Sequence, residues 1–431
     1  MTAVVLFVSF AIFLLLSVPI GIALGLASLV TILYSGSLPL EFLAQGLVTS
    51  VDSFPLMAVP FFILAGEIMG KGGISDRLFN VANKIVGNRT GGFAIATIVT
   101  CMFFAAVSGS APATVAAIGG IMIPAMVRMG YDKRFATATV AAAGSLGVII
   151  PPSIPMVIYG VVGSGATIGD MFLAGIIPGV LVGFGLMVYA YFYSKKMGYK
   201  GSEEKFSFKG LLDAVWDAKW ALLVPLIILG GIYGGIFTPT EASVIAVVYG
   251  LLAGLVLYGE LKFKDLPKVI GDAALTTATI LIIVGTATAF GRLLTVEQIP
   301  NQVAEAMLGV SESPIVIILL ITLLLLVVGC FMDTLAAIII LTPILLPIAV
   351  NIGYDPVHFG IIMIVNLAIG FITPPLGVNL FVASGISGLS IEAISKAIIP
   401  FFIAMLVTLI IIVFIPQLSL MFLGFGLMFG F

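Results

Sequence analysis

Two short polar stretches stand inside long apolar runs of this chain: Ser108, Ser110 and Thr114 in the first, Asp333 and Thr334 in the second. Hydroxyls, backbone carbonyls and at most one carboxylate form a hard, weakly charged oxygen shell, which suits Na⁺ far better than a transition metal. Downstream of each stretch comes a proline pair, in GVIIPP from Gly147 to Pro152 and in GFITPP from Gly370 to Pro375. Consecutive prolines remove two backbone donors and clash with the preceding turn, so each pair breaks its helix into two halves. The opened carbonyls and half-helix ends then face the break, where a dehydrated cation takes the oxygens and an anion takes the N-terminal ends. Asn379, four residues beyond the second pair, faces the same opening and is placed to reach a polar substrate.

Asp333 stands out, since a carboxylate at the centre of a membrane helix costs ~3 kcal/mol or more on insertion scales. It requires a cation, a proton or a set of donors, so proton coupling is a rival to Na⁺. Arg292 lies at the outer end of an apolar span; it either snorkels to the interface or meets an anionic substrate or acidic partner. Glu67 and Glu241 border apolar spans and read as helix-end residues, as does His358, which follows a turn. Cys101 and Cys330 lack metal-ligand spacing and read as core packing. Small and hydroxyl residues also permit close helix packing, which would account for any one of these clusters. Four clusters in a symmetric arrangement favour ion or substrate binding.

The elements that position these residues must be membrane helices. Of 431 residues, 61% are hydrophobic and 9% charged, with a mean hydropathy of +1.29. So few charges cannot cover a globular surface, which excludes a soluble domain. Polar gaps divide the first half into spans near 3–17, 20–35, 53–70, 135–165 and 172–194, and the second into spans near 220–237, 241–258, 270–291, 357–388 and 397–420. The segments 93–127 and 314–350 are apolar but interrupted at Ser108 to Pro112 and at Gly329 to Thr334, and read as re-entrant hairpins. The N-terminus opens into an apolar run with neither a basic segment nor a cleavage site, so the first run is expected to remain as a span.

The chain contains this plan twice. A shift of 223 places carries Gly130-Tyr131-Asp132 onto Gly353-Tyr354-Asp355, Gly147 onto Gly370, Pro151-Pro152 onto Pro374-Pro375, and Ser110 onto Asp333. Upstream the shift is 220, placing Pro19 on Pro239 and Asp52 on Asp272. The expected organisation is a first repeat over 1–194 (hairpin 93–127, broken helix 135–165), a cytoplasmic linker over 195–219, and a second repeat over 220–431 (hairpin 314–350, broken helix 357–388). Five crossings per repeat is an odd number, so the second repeat starts on the opposite face and the two are inverted. This topology gathers 17 of the 18 basic residues on one side, leaving only Arg292 outside. That side is therefore cytoplasmic and both termini periplasmic. Glu297, Glu305 and Glu312 fall outside. The linker, with its six lysines and four acids, reads as a solvated surface segment.

The segments SGSAPATVAAIGGIMIPAM from Ser108, GVIIPPSIPMVIYG from Gly147, GIFTPTEAS from Gly235, MDTLAAIIILTPILLPI from Met332 and GFITPPLGVNLFV from Gly370 are jointly specific. Over essentially the whole chain, the sequence resembles the large membrane subunit (M-type) of tripartite ATP-independent periplasmic (TRAP) transporters, and its first hairpin is worded most like the sialic acid branch. The resemblance implies an all-α elevator-type secondary transporter of the bacterial inner membrane that carries an organic acid anion, sialic acid or a C4-dicarboxylate, with two or more coupling Na⁺ ions. It implies a first Na⁺ site at Ser108, Ser110, Gly147, Ile150 and Pro152 and a second at Asp333, Thr334, Gly370 and Thr373, with Thr114, Asn379 and Arg292 as substrate candidates. It also implies a small four-helix membrane subunit, absent from this chain and so expected as a separate protein, and a soluble periplasmic binding protein, besides the surrounding lipid. No GxxxxGK[ST] occurs, in keeping with ion-gradient rather than nucleotide coupling, and no nucleic acid partner is expected.

Other classes fit less well. A stand-alone proton-coupled carrier or antiporter is motivated by Asp333. An intramembrane hydrolase would need a Ser-His or paired-Asp arrangement that the sequence lacks. A passive channel would need a continuous polar pore, whereas the hairpin tips meet near the middle from opposite faces.

Overall fold

The GYD turn shows why the same three residues are used twice. In the computed structural model, which describes residues 2–36, 38–201, 207–311 and 313–429, Gly130 and Gly353 take left-handed φ values of 84° and 93° just after a hairpin ends. Glycine meets that conformation without Cβ strain. The following tyrosine N–H then reaches back to the last turn of the hairpin, Tyr131 to the Met126 carbonyl at 3.1 Å and Tyr354 to the Ala349 carbonyl at 2.9 Å, closing helix ends that would otherwise leave carbonyls unpaired. The aspartate starts the next helix. Asp132 Oδ1 accepts from Arg134 and Phe135 N–H at 2.9 and 3.1 Å, and Asp355 Oδ1 from Val357 and His358 N–H at 2.8 and 3.2 Å. Each cap is worth about 1 kcal/mol.

Among the described residues every regular element is a helix. The first hairpin has arms Gly92–Ser108 and Ala111–Arg128, and the second Pro314–Phe331 and Thr334–Asn351. The first broken helix runs Lys133–Gly144, tightens to a 3₁₀ turn over Ser145–Val148 and resumes at Ile154–Val162. The second runs Pro356–Gly370 and resumes at Val378–Ser387. The peptide bond within each proline pair is cis. Among the described residues eight helices are long and apolar enough to cross a membrane, or nine if the pair Phe208–Asp217 and Lys219–Tyr233, bent by 64°, counts as one.

The two halves exchange partners. The resumed helix of the first half, 154–162, packs on the second arm of the second hairpin, and the resumed helix of the second half, 378–387, packs on the second arm of the first. The outer helices repeat this reciprocity: Ala58–Lys71 lies against Pro239–Leu252, and Leu266–Val296 against Ile20–Ser35. A helix's place follows its exposure. Every residue from 357 to 370 is buried, whereas Ile399, Ile403, Val407, Ile411 and Phe414 form an exposed apolar stripe at helical spacing on Ile391–Phe414, a face suited to lipid.

Four helices fall in gaps the sequence left as loops or polar turns: Leu40–Thr49, Ile74–Val86, Phe208–Asp217 and Ile299–Val310. Ile74–Val86 escapes a search for apolar runs because it is amphipathic, burying Ile74, Leu78, Val81 and Ala82 while its other face is polar. The expected linker at 195–219 is largely helical at both ends, since Ile168–Met197 runs into it and Phe208–Asp217 lies within it. Pro416 divides the last expected span into Ile391–Phe414 and Gln417–Phe429. Lys205 and Glu312, counted in the charge distribution, lie outside the described residues.

Candidate ion and substrate site between the hairpin tips

Each hairpin tip is held against the break of its own half by a matching hydrogen bond. Ile154 N–H donates to the Gly109 carbonyl at 3.2 Å, and Leu376 N–H to the Cys330 carbonyl at 3.0 Å. The contact is close enough to demand glycine. Gly109 has φ 63°, and a Cβ there would sit 2.9 Å from the Pro152 carbonyl oxygen. A Cβ on Gly147 would collide with the Ser110 carbonyl and the Thr114 hydroxyl, and one on Gly370 with the Gly329 carbonyl.

In the first half these approaches bring the expected ligands together. The Ser108 hydroxyl lies 2.9 Å from that of Thr114, and Thr114 Oγ1 donates to the Ser110 carbonyl at 2.8 Å. Ser110 Oγ is the N-cap of the second arm, accepting from Ala113 N–H at 3.5 Å. Ser108 and Thr114 are buried. Ser108, Ser110 and Thr114 therefore form one hydrogen-bonded cluster, with Gly147 packed against the Ser110 carbonyl and the Pro152 carbonyl against Gly109. Ile150 sits in the same break, its N–H on the Leu146 carbonyl. Thr114 belongs to this hydroxyl cluster.

In the second half Asp333 takes the place of Ser110. Its Oδ2 accepts from Leu335 N–H at 2.9 Å and caps Thr334–Asn351. The donor set it requires is thus the N-terminus of a largely buried hairpin arm, where the helix dipole favours negative charge. Thr334 is buried beside it, Gly370 abuts the incoming arm, and Thr373 Oγ1 is turned to the Ile369 carbonyl at 2.8 Å.

Both tips open onto one cavity of about 530 Å³. Ser108, Gly109, Ser110, Asp333 and Thr334 line it from the hairpins; Ile63, Gly66 and Glu67 line it from one outer helix, and Leu275, Thr276, Thr279, Ile280 and Ile283 from its repeat-related partner. Sequence reasoning missed these outer walls. Glu67, read as a helix-end residue, projects into the cavity. Thr276 and Thr279, three places apart in an apolar span, were the available signal, since that spacing puts both on one helix face.

The remaining candidates lie elsewhere. Asn379 is fully buried, and its amide donates across the halves to the Ala141 carbonyl at 3.0 Å and Ser145 Oγ at 3.2 Å. It joins the two broken helices. Arg292 lines a separate cavity of about 290 Å³ with Ser50, Thr288, Thr295, Ile158 and Pro343. His358 Nδ1 lies 3.1 Å from Ser419 Oγ, and Glu241 completes a capping box with Thr238.

The profile of the family described as "Tripartite ATP-independent periplasmic transporter, DctM component" matches residues 7–418. The chain belongs to this family. A DctM component is a multi-pass transporter subunit of the inner membrane and not an enzyme. This DctM chain is 55% identical over 420 residues to the isethionate TRAP transporter permease protein DctMQ of Oleidesulfovibrio alaskensis, covering 97% of this chain but 66% of that relative's length. It is 43% identical to the C4-dicarboxylate TRAP transporter large permease protein DctM of Pseudomonas aeruginosa, covering 92% of this chain and 93% of the relative. Identity to the sialic acid TRAP transporter large permease protein SiaM of Vibrio cholerae is 38%, over 95% and 96% of the two chains. Among solved structures, the Alcanivorax borkumensis YdaH transporter superposes with a TM-score of 0.53 at 16% identity, covering 90% of this chain and 89% of that one, a likeness of fold alone.

Proposed function

We propose that this chain is the membrane subunit that carries a small organic acid anion inward, driven by Na⁺, across the bacterial inner membrane. The observation that carries the proposal is the single cavity on which both capped hairpin tips open. Two oxygen-rich tips behind it can hold dehydrated cations, and the half-helix N-termini give an anionic cargo its counterpart. Cargo and ions then share one moving body. The exchange of partners between the halves supports two inverted repeats, 1–194 and 220–431 joined by 195–219, and the one-sided distribution of basic residues supports cytoplasmic basic loops and periplasmic termini. The proposed motion is an elevator movement of hairpins and broken helices against the outer helices 58–71 and 266–296.

The first ion site comprises Ser108, Ser110, Gly147, Ile150 and Pro152, and the second Asp333, Thr334, Gly370 and Thr373. Arg292 guides the anion from its side cavity. The cargo class spans carboxylates such as C4-dicarboxylates and sialic acid and, from the Oleidesulfovibrio relative, a short sulfonate. A small membrane subunit and a periplasmic binding protein are the working partners. The test is uptake of labelled isethionate, succinate and sialic acid into proteoliposomes holding the assembled complex. An inward Na⁺ gradient should accelerate one of them, and uptake indifferent to every ion gradient would overturn the proposal.

Asp333 and Glu67 on one cavity favour a second reading, a stand-alone proton-coupled carrier. Transport driven by a proton gradient without Na⁺, and without either partner, would establish it instead.

A further inference from the structure

A second built cavity lies far from the hairpin tips, at the other end of the helices that carry them. It encloses about 420 Å³ between the start of Lys133–Gly144, the end of Ile168–Met197 and the start of Ile391–Phe414. One wall therefore comes from each half of the chain. Arg134 and Lys396 line it from different helices, one in each half, and among the described residues neither has a carboxylate within ion-pairing distance. Asp132, the one acid in the lining, is committed to capping, with Oδ1 holding two backbone N–H groups. Lys195 and Lys196 close the neighbouring helix end. The cavity is thus cationic.

Its body is aromatic. Phe135 stacks on Tyr193 with ring centres 4.3 Å apart, and Tyr189 meets Phe401 edge-on at 4.5 Å. Among the described residues the hydroxyls of Tyr189 and Tyr193 make no hydrogen bond, so two donors are available beside the two cations. Met197, Ala397 and Pro400 supply an apolar floor, continuous with the exposed stripe from Ile399 to Phe414. Cations and phenols at the rim, with an apolar track leading toward the membrane centre, match a molecule with an anionic head and a hydrocarbon tail.

We infer that this cavity binds the headgroup of an anionic phospholipid, the phosphate between Arg134 and Lys396 and an acyl chain along Ala397, Pro400 and the stripe beyond. The lipid joins one helix of each half at the rim of the body that carries the hairpins. The inference does not depend on ion coupling.

The test is lipid retention by the purified full chain, read by native mass spectrometry after exchange into detergent with equal phosphatidylglycerol and phosphatidylcholine. Wild type should keep phosphatidylglycerol at least about fivefold over phosphatidylcholine, and R134Q/K396Q should retain both alike. Equal retention by wild type, or unchanged selectivity in the variant, would overturn the inference. Displacement by millimolar inorganic phosphate would also overturn it, by making the site one for a free anion. Should the charge variant fail to fold, Y189F/Y193F carries the test, since it removes only the two hydroxyls. Its phosphatidylglycerol retention should fall at least about twofold, and unchanged retention contradicts the site.

Discussion

Ser110 and Asp333 occupy the same place in the two halves: each is the N-cap of the second arm of its hairpin, each stands 223 residues from the other, and both line one cavity. One cap is a neutral hydroxyl and the other a carboxylate. The duplicated position is therefore shared and unequal in charge, and the proposed function predicts that the second tip is the stronger cation binder.

Replacing the carboxylate while keeping the cap separates these roles. Asp333→Asn retains an acceptor for Leu335 N–H but removes the charge. Loss of a charged ligand worth about 1.5–3 kcal/mol weakens apparent Na⁺ affinity at least about tenfold. The check is the Na⁺ concentration giving half-maximal uptake, alongside an unchanged circular dichroism spectrum.

Gly147→Ala tests the close approach of break and tip. The added methyl collides with the Ser110 carbonyl and the Thr114 hydroxyl, and overpacking of this kind costs about 1–3 kcal/mol. A lower midpoint in a thermal unfolding scan and lost transport are expected. Gly120→Ala, where nothing lies within 4 Å of the new Cβ, should leave both unchanged.

Asn379→Ala removes the bridge to Ala141 and Ser145 and leaves a buried carbonyl without its donor, a loss of about 1–3 kcal/mol. Stability should fall while the KM for cargo stays at the wild-type value. A raised KM with unchanged stability would instead put Asn379 in contact with the cargo.

Gly291 on the outer helix faces the second hairpin, its Cβ position 3.9 Å from Pro343 Cγ. In a background without Cys101 and Cys330, the pair Gly291→Cys and Pro343→Cys, both outside the proposed ion sites, should cross-link under oxidation and stop transport, with recovery on reduction. Full transport by the cross-linked protein would exclude relative motion of hairpin and outer helix.

Much of this was legible because prolines and glycines act locally. The proline pairs marked both breaks, and GYD marked the hairpin ends, since a left-handed glycine and a capping aspartate work through their own neighbours. The amphipathic helix Ile74–Val86 was not legible as a span because only one face is apolar. Its Arg77 reaches Glu260 at 2.6 Å and Asp217 at 3.6 Å and lies over Tyr258, contacts that join distant segments and leave no local signature. Glu67 does stand near the end of Ala58–Lys71, but its place on the cavity wall was hidden for the same reason, since that place depends on hairpins about 40 and 270 residues away, a separation that no local rule of periodicity covers.

The most direct measurement is binding of radioactive sodium to the purified protein, wild type against Ser110→Ala/Asp333→Asn. Saturable binding that the double variant loses is the expected result. Binding by the variant equal to wild type would contradict ion sites at the hairpin tips.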